Sequence, residues 1–308
     1  MSRASALEAP PSVEPSRHSL RRDGRAALFF AGPSVIGLAA FTVFPILMSL
    51  VIGVYQWPSI GEKTFIGAGN YTQLLGDPMF RQVILNTLLY VVLFVPANII
   101  VSLGLAVWLT PRIKGRSLLR VIFFIPVVTP MVANAVVWRM IYQPNGVIDG
   151  TVQAVTGEHA PNFLGDSTWA MLAIVTMSVW QGFGYNMLVF SAAIDNLPQA
   201  VMEAAEVDGA TSWRKFFHVT LPLLTPALFF GTTMTIITAL QVFIQPYLLT
   251  SGGPGNATET LVMFIYNQGF SFMNLGLASA AAWILFVIVL GITAAQFLGQ
   301  KKWVNYES

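Results

Sequence analysis

Six stretches of this chain are apolar on most faces, approximately Ala26–Gln56, Val83–Thr110, Val121–Ile141, Trp169–Ile194, Leu221–Leu249 and Leu275–Gln300. Each reaches the roughly 20 residues that a helix needs to cross about 30 Å of hydrocarbon. A lone strand in lipid would leave its backbone groups without partners, so all six are expected to be helices. Leu261–Phe272 is apolar but too short to cross, and is a candidate partial helix on the outer face. The expected fold class is an all-α integral membrane protein with about six transmembrane helices.

Composition agrees with the pattern. The 308 residues are 55% hydrophobic and 10% charged, against roughly 25% charged in soluble domains. Charges cluster: between Lys215 and Glu259 the only other group that gains or loses charge near neutral pH is His218, and between Glu259 and Lys301 there is none. Net charge of +2 does not point to nucleic acid, and the absence of cysteine excludes disulfides and thiolate sites. Thirteen basic residues fall on one side of the expected spans: Arg3, Arg17, Arg21, Arg22, Arg25, Arg112, Lys114, Arg116, Arg120, Arg214, Lys215, Lys301 and Lys302. Only Lys63, Arg81 and Arg139 fall on the other. Cytoplasmic loops retain Lys and Arg, so both termini are expected in the cytoplasm. Residues 1–25 read as a disordered cytoplasmic tail, 26–300 as the transmembrane domain and 301–308 as a cytoplasmic C-terminal tail. The first apolar run is about twice the usual length of a signal core and is expected to be a retained helix.

Several chemistries are missing. There is no phosphate-binding G-x-x-x-x-G-K-[ST], no H-E-x-x-H and no G-x-S-x-G, and no pair of carboxylates lies inside a span. His18, His159 and His218 fall in three separate segments, so no metal site is expected. The sequence reads as a non-catalytic membrane protein.

The loop 195–222 is the most informative segment. Pro198 can open a helix, Gln199 to Val207 are mostly good helix formers, and Gly209 permits a reversal. Thr211 or Ser212 can cap a second stretch that carries Trp213, Phe216 and Phe217 three and four residues apart. Within the loop, Glu203-Ala204-Ala205 is followed after three residues by Gly209, then by Val219 and Leu221-Pro222. This resembles the EAA loop of the permease subunits of bacterial ABC importers, with Val219 at a position where the family pattern has Ile. The resemblance implies a type I ABC importer permease fold in the bacterial inner membrane. It also implies that Glu203, Ala204, Ala205, Asp208, Gly209, Leu221 and Pro222 form a coupling element seated on an ATP-binding subunit. ATP and Mg would then be held by that partner, with no cofactor in this chain.

The resemblance extends over nearly all of Ala26–Lys301. Gly32-Pro33, Phe44-Pro45-Ile46, Gly67-Ala68-Gly69-Asn70-Tyr71, Asn86-Thr87 and Leu249-Thr250-Ser251-Gly252-Gly253-Pro254 are similar to the carbohydrate-uptake branch of that family, maltose and glycerol-phosphate type systems included. Such a subunit is half of a heterodimer with a second permease, and works with two ATP-binding subunits and an extracytoplasmic sugar-binding protein. The alternatives are an importer for a sugar phosphate such as glycerol-phosphate and, in a different class, an ion-coupled secondary transporter, which would normally need intramembrane carboxylates or other coupling-ion ligands.

A substrate path needs polar side chains on shared helix faces. Ser178, Gln181, Gly182 and Tyr185 fall at i, i+3, i+4 and i+7. Thr235, Thr238, Gln241 and Gln245 form a slightly drifting stripe on the fifth span, with aromatic Trp180, Phe243 and Tyr247 nearby. The plainer role for these Gln and Thr is hydrogen bonding between helices. In the maltose-type branch the fourth-span positions are sugar contacts, and Gly182 and Tyr185 agree in identity while Gln181 does not. The fifth span departs further, with Ala239 and Val242 where that branch presents asparagines. With no charge well inside a span, a neutral sugar is favoured over a sugar phosphate.

Overall fold

The computed structural model describes residues 29–58, 60–109 and 113–304. The expected tail 1–25, Arg112 and residues 305–308 of the C-terminal tail lie outside the described residues. The chain divides into two compact units, residues 1–51 and 52–308. The described part of the first belongs to helix α1 (Phe29–Gly53). Its Phe29, Ile36 and Phe41 are exposed, as suits a helix solvated by lipid. It widens into a π turn at Ala39–Val43, where Pro45 brings no N–H to the helical ladder.

The second unit begins with a two-stranded antiparallel ribbon, β1 (Tyr55–Gln56) and β2 (Thr64–Phe65), which pairs Tyr55 with Phe65 and Gln56 with Thr64. Among the described residues this is the one paired ribbon beside the helices. Then follow α2 (Gly69–Gly76), α3 (Pro78–Trp108), α4 (Arg116–Val128), α5 (Met131–Tyr142), α6 (Val147–Thr156) and α7 (Ser167–Asp195). They continue with α8 (Gln199–Val207), α9 (Ser212–Leu223), α10 (Thr225–Leu240), α11 (Ile244–Leu249), α12 (Leu261–Tyr266) and α13 (Leu275–Gly299). Asp77 and Asp166 cap the two longest helices, accepting from the N–H groups of Met79 and of Thr168 and Trp169. The expected partial helix at Leu261–Phe272 is α12 followed by a π turn, Asn267–Ser271.

Helices α3 and α7 form the spine of this unit. Tyr90 and Phe94 of α3 pack with Met171, Ile174 and Met177 of α7 and with Ala239 and Val242 beyond them. A second core joins Leu74, Phe80 and Val83 to Leu261 and Phe264 of α12 and Leu277, Ala280 and Ala281 of α13. On α7, a Cβ at Gly184 would lie 2.6 Å from the carbonyl oxygen of Phe123, so only glycine lets α4 approach this closely. The outward faces of α3 and α13 stay apolar, with Leu85, Leu89, Val92, Phe286, Val287 and Leu290 exposed.

Four described helices are long and apolar enough to cross a membrane, and six if each of two bent pairs counts as one span. Two of the expected unbroken helices are therefore broken. The third bends by 92° between α4 and α5, and the fifth bends by 68° between α9 and α10, then stops at Leu240 and restarts at Ile244. Proline causes each break, because its ring removes one N–H and collides with the carbonyl four residues earlier. The freed carbonyls do not go unpaired. Ahead of Pro130, the Pro126 oxygen accepts from Asn134 Nδ2 at 3.2 Å. Ahead of Pro226, the Pro222 oxygen accepts from Thr225 Oγ1 at 2.7 Å. Ahead of Pro246, the Val242 oxygen accepts from Thr260 Oγ1 at 2.8 Å. In an apolar surrounding such replacement donors are what make a broken helix tolerable.

Candidate functional site

The breaks shape a cavity of about 580 Å³ bounded by α3, α4, α5, α7, α10 and the α10–α11 junction. From α7 it is lined by Ser178, Gln181, Gly182 and Tyr185. From α10 come Thr235 and Thr238, while Gln241 sits at the helix stop and Gln245 on α11. All eight residues of the two polar stripes thus border one space. The regular 100° stripe holds only as far as Thr238, because the backbone leaves helical geometry at Gln241, with φ −104° and ψ 18°. Phe243 also lines the cavity. Trp180 and Tyr247 do not: Trp180 packs against Trp138, with ring centroids 5.5 Å apart, and Tyr247 stacks on Phe243 at 5.1 Å.

Several lining hydroxyls are already engaged within their own helices. Ser178 Oγ donates to the Ile174 carbonyl at 2.8 Å and Thr235 Oγ1 to the Gly231 carbonyl at 2.6 Å. Two lining amides were missed by the stripe reading, Asn98 and Asn186. Asn186 lies four residues beyond Gly182, so extending the α7 stripe by one turn finds it. Asn98 continues the series Asn86, Tyr90, Phe94 at intervals of four, so the same one-face spacing finds it. No Asp, Glu, Lys, Arg or His lies among the described lining residues.

The second candidate element is the α8–α9 hairpin. Glu203, Ala204 and Ala205 lie on α8, and Asp208 follows its last residue. Gly209 turns the chain at φ +72°, a conformation that suits glycine and strains other residues. Thr211 caps α9 by accepting from the Arg214 N–H at 3.4 Å. Ala205 is buried, whereas Glu203, Ala204 and Asp208 are exposed. Glu203 Oε1 accepts from Gln199 Nε2 at 2.7 Å, and Glu206 pairs with Lys215 at 2.6 Å, which holds the two helices together. Leu221 and Pro222 close α9, and the Pro222 carbonyl belongs to the break described above. Val207, Trp213 and Phe217 stand exposed on this hairpin, at 88%, 75% and 43%, an apolar surface that water does not favour. At its base, Arg116 and Arg120 of α4 both bind Asp195 at the end of α7.

Long apolar helices around a cavity to which amides and hydroxyls but no charges contribute are the arrangement of a multi-pass membrane protein. A family described as the binding-protein-dependent transport system inner membrane component matches residues 98–303, and the chain belongs to that family. It is 37% identical to the lactose transport system permease protein LacF of Rhizobium radiobacter, over 92% of this chain and 96% of the relative. It is 35% identical to the probable ABC transporter permease protein YesP of Bacillus subtilis, over 94% and 95%. The sn-glycerol-3-phosphate transport system permease protein UgpA of Agrobacterium fabrum is 32% identical over 89% and 94%. The fold matches a crystallised bacterial alginate ABC transporter with a TM-score of 0.80 at 21% identity, over 94% of this chain and 99% of that one.

Proposed function

We propose that this chain is the membrane half-channel of an ATP-driven importer of neutral sugars, with the 580 Å³ cavity as its substrate path. The observation that carries the reading is the convergence of amide, hydroxyl and aromatic groups on a space with no charged side chain in its described lining. Sugar hydroxyls exchange hydrogen bonds with such groups, whereas an anion would be left without a counter-charge. Relatives named for lactose and for trehalose/maltose transport support it. In this reading each bent pair is one span, both termini are cytoplasmic, and the protein sits in the bacterial inner membrane. The α8–α9 hairpin, with Glu203, Gly209 and the exposed Val207, Trp213 and Phe217, seats on one of two ATP-binding subunits that carry ATP and Mg. A second permease completes the path, and an extracytoplasmic sugar-binding protein delivers the cargo.

The second reading is a glycerol-phosphate importer, favoured by the likeness to UgpA and disfavoured by the uncharged cavity. Expression of the chain with its genomic neighbours, in cells lacking their own uptake systems, tests both. ATP-dependent accumulation of radiolabelled lactose, maltose or trehalose is the expected result. Accumulation of glycerol 3-phosphate alone would replace the first reading by the second, and accumulation of none of these would overturn it.

A further inference from the structure

Asn98 is 1% exposed and yet borders the cavity. Its Oδ1 accepts from Asn186 Nδ2 at 2.8 Å, and the same Nδ2 donates to Thr235 Oγ1 at 2.8 Å. One amide on α7 therefore ties α3 to α10. In this arrangement the Asn98 oxygen is held. Its nitrogen is not: Asn98 Nδ2 has no acceptor among the described residues. The fully buried unpaired atom of this joint is Asn186 Oδ1, whereas the Asn98 nitrogen reaches the cavity, where an oxygen can accept from it.

Across from this nitrogen is Gly182. A Cβ built there would lie 3.3 Å from Asn98 Nδ2 and 3.6 Å from the Phe94 ring. The missing side chain is thus the opening through which the amide meets the cavity. If the asparagines served only to join helices, the Asn98 oxygen would suffice, and neither a free N–H2 nor a glycine in front of it would be needed.

We propose that Asn98 is a specificity-determining group of the substrate path, whose Nδ2 donates to an acceptor oxygen of the cargo, and that Gly182 is its window. The acceptor is a hydroxyl or ring oxygen of a sugar, which rests on the sugar-importer reading above. Asn186 is the positioning residue, since it aligns Asn98 without facing the cargo through its own nitrogen.

The chain contains no cysteine, so Asn98→Cys places a single thiol in it. In membranes holding the assembled transporter, a small hydrophilic methanethiosulfonate reagent should modify that thiol, and adding Gly182→Ala should slow modification. A thiol at position 98 that does not react, or reacts equally fast with Gly182→Ala, would overturn the window. The second arm measures uptake of the same labelled sugars. Asn98→Ala and Gly182→Ala should each raise KM by about tenfold, as expected for one lost hydrogen bond to the cargo, and the double variant should be no worse than the single ones. Fully additive effects, or unchanged KM with lowered melting temperature, would make Asn98 a helix joint and overturn the proposal. If the wild-type complex carried no sugar, the sugar reading would fail, while the thiol arm would still decide whether Asn98 faces the path.

Discussion

Thr260 shows how much a single hydroxyl can carry in this fold. It is 1% exposed and donates to the Val242 carbonyl that Pro246 releases from the helix ladder. Thr260→Val keeps the shape and removes the donor, so a buried carbonyl loses its partner at a cost of about 1–3 kcal/mol. The expected outcome is a lower unfolding temperature of the detergent-solubilised complex, checked by a thermal shift assay, whereas substitution of the exposed Thr151, which donates only within α6, should change little. Two other side chains test the cavity. Tyr185→Ala and Gln241→Ala should lower sugar uptake several-fold, at about 1 kcal/mol per hydrogen bond lost, while assembly and basal ATPase activity persist. Wild-type uptake by both variants across sugar concentrations would remove these positions from the path. These residues were visible in the sequence as polar interruptions of apolar runs. Asn70 was visible too, as part of a family phrase, but its role was not. Its Nδ2 donates to the carbonyls of Gly53 and Tyr55, both at 2.9 Å, which ties α2 to the start of the ribbon.

At the scale of elements, the α8–α9 hairpin and the segment before α12 are both held by specific joints. Asn86 Nδ2 donates to the carbonyls of Asn256 and Glu259, and Thr87 Oγ1 accepts from the Leu261 N–H. The Asn86-Thr87 phrase thus contacts the segment that leads into α12, 170 or more residues further along the chain. Such a joint is illegible in sequence because neither segment has a periodicity that names the other. On the hairpin the logic is the reverse, since Val207, Trp213 and Phe217 keep apolar surface exposed even where the Trp213 and Phe217 rings meet at 4.8 Å. A Cβ added at Gly209 would meet nothing within 4 Å, so a side chain there is strained by φ alone. Gly209→Asp and Glu203→Lys should leave the protein inserted and weaken either ATPase binding or the link between hydrolysis and uptake. Co-purification of the ATP-binding subunit and uptake in the same membranes check this. Normal association and normal uptake in both variants would reduce the hairpin to a connection.

For the whole molecule, the thirteen-to-three division of basic residues predicts sidedness. Reporter fusions after Arg116 and after Lys215 should be cytoplasmic, and one near Glu158 external; an external reporter at Lys215 would sink the topology and the coupling role of the hairpin together. The sequence by itself determined that the chain is a set of apolar helices, roughly where each lies, and which hairpin and stripes carry polar chemistry. Length, apolarity and charge placement are local properties, and the bilayer makes them decisive. Only the tertiary structure decided which prolines break a helix: Pro96 stays inside the continuous α3, whereas the carbonyls released ahead of Pro130 and Pro246 are taken over by Asn134 and Thr260. It also decided that Gln241 and Gln245, no longer on one continuous helix, still face the cavity that α7 lines. Asn98 needed it most. Its spacing puts it on the face of Asn86, Tyr90 and Phe94, but the partner that holds its oxygen lies 88 residues further along the chain.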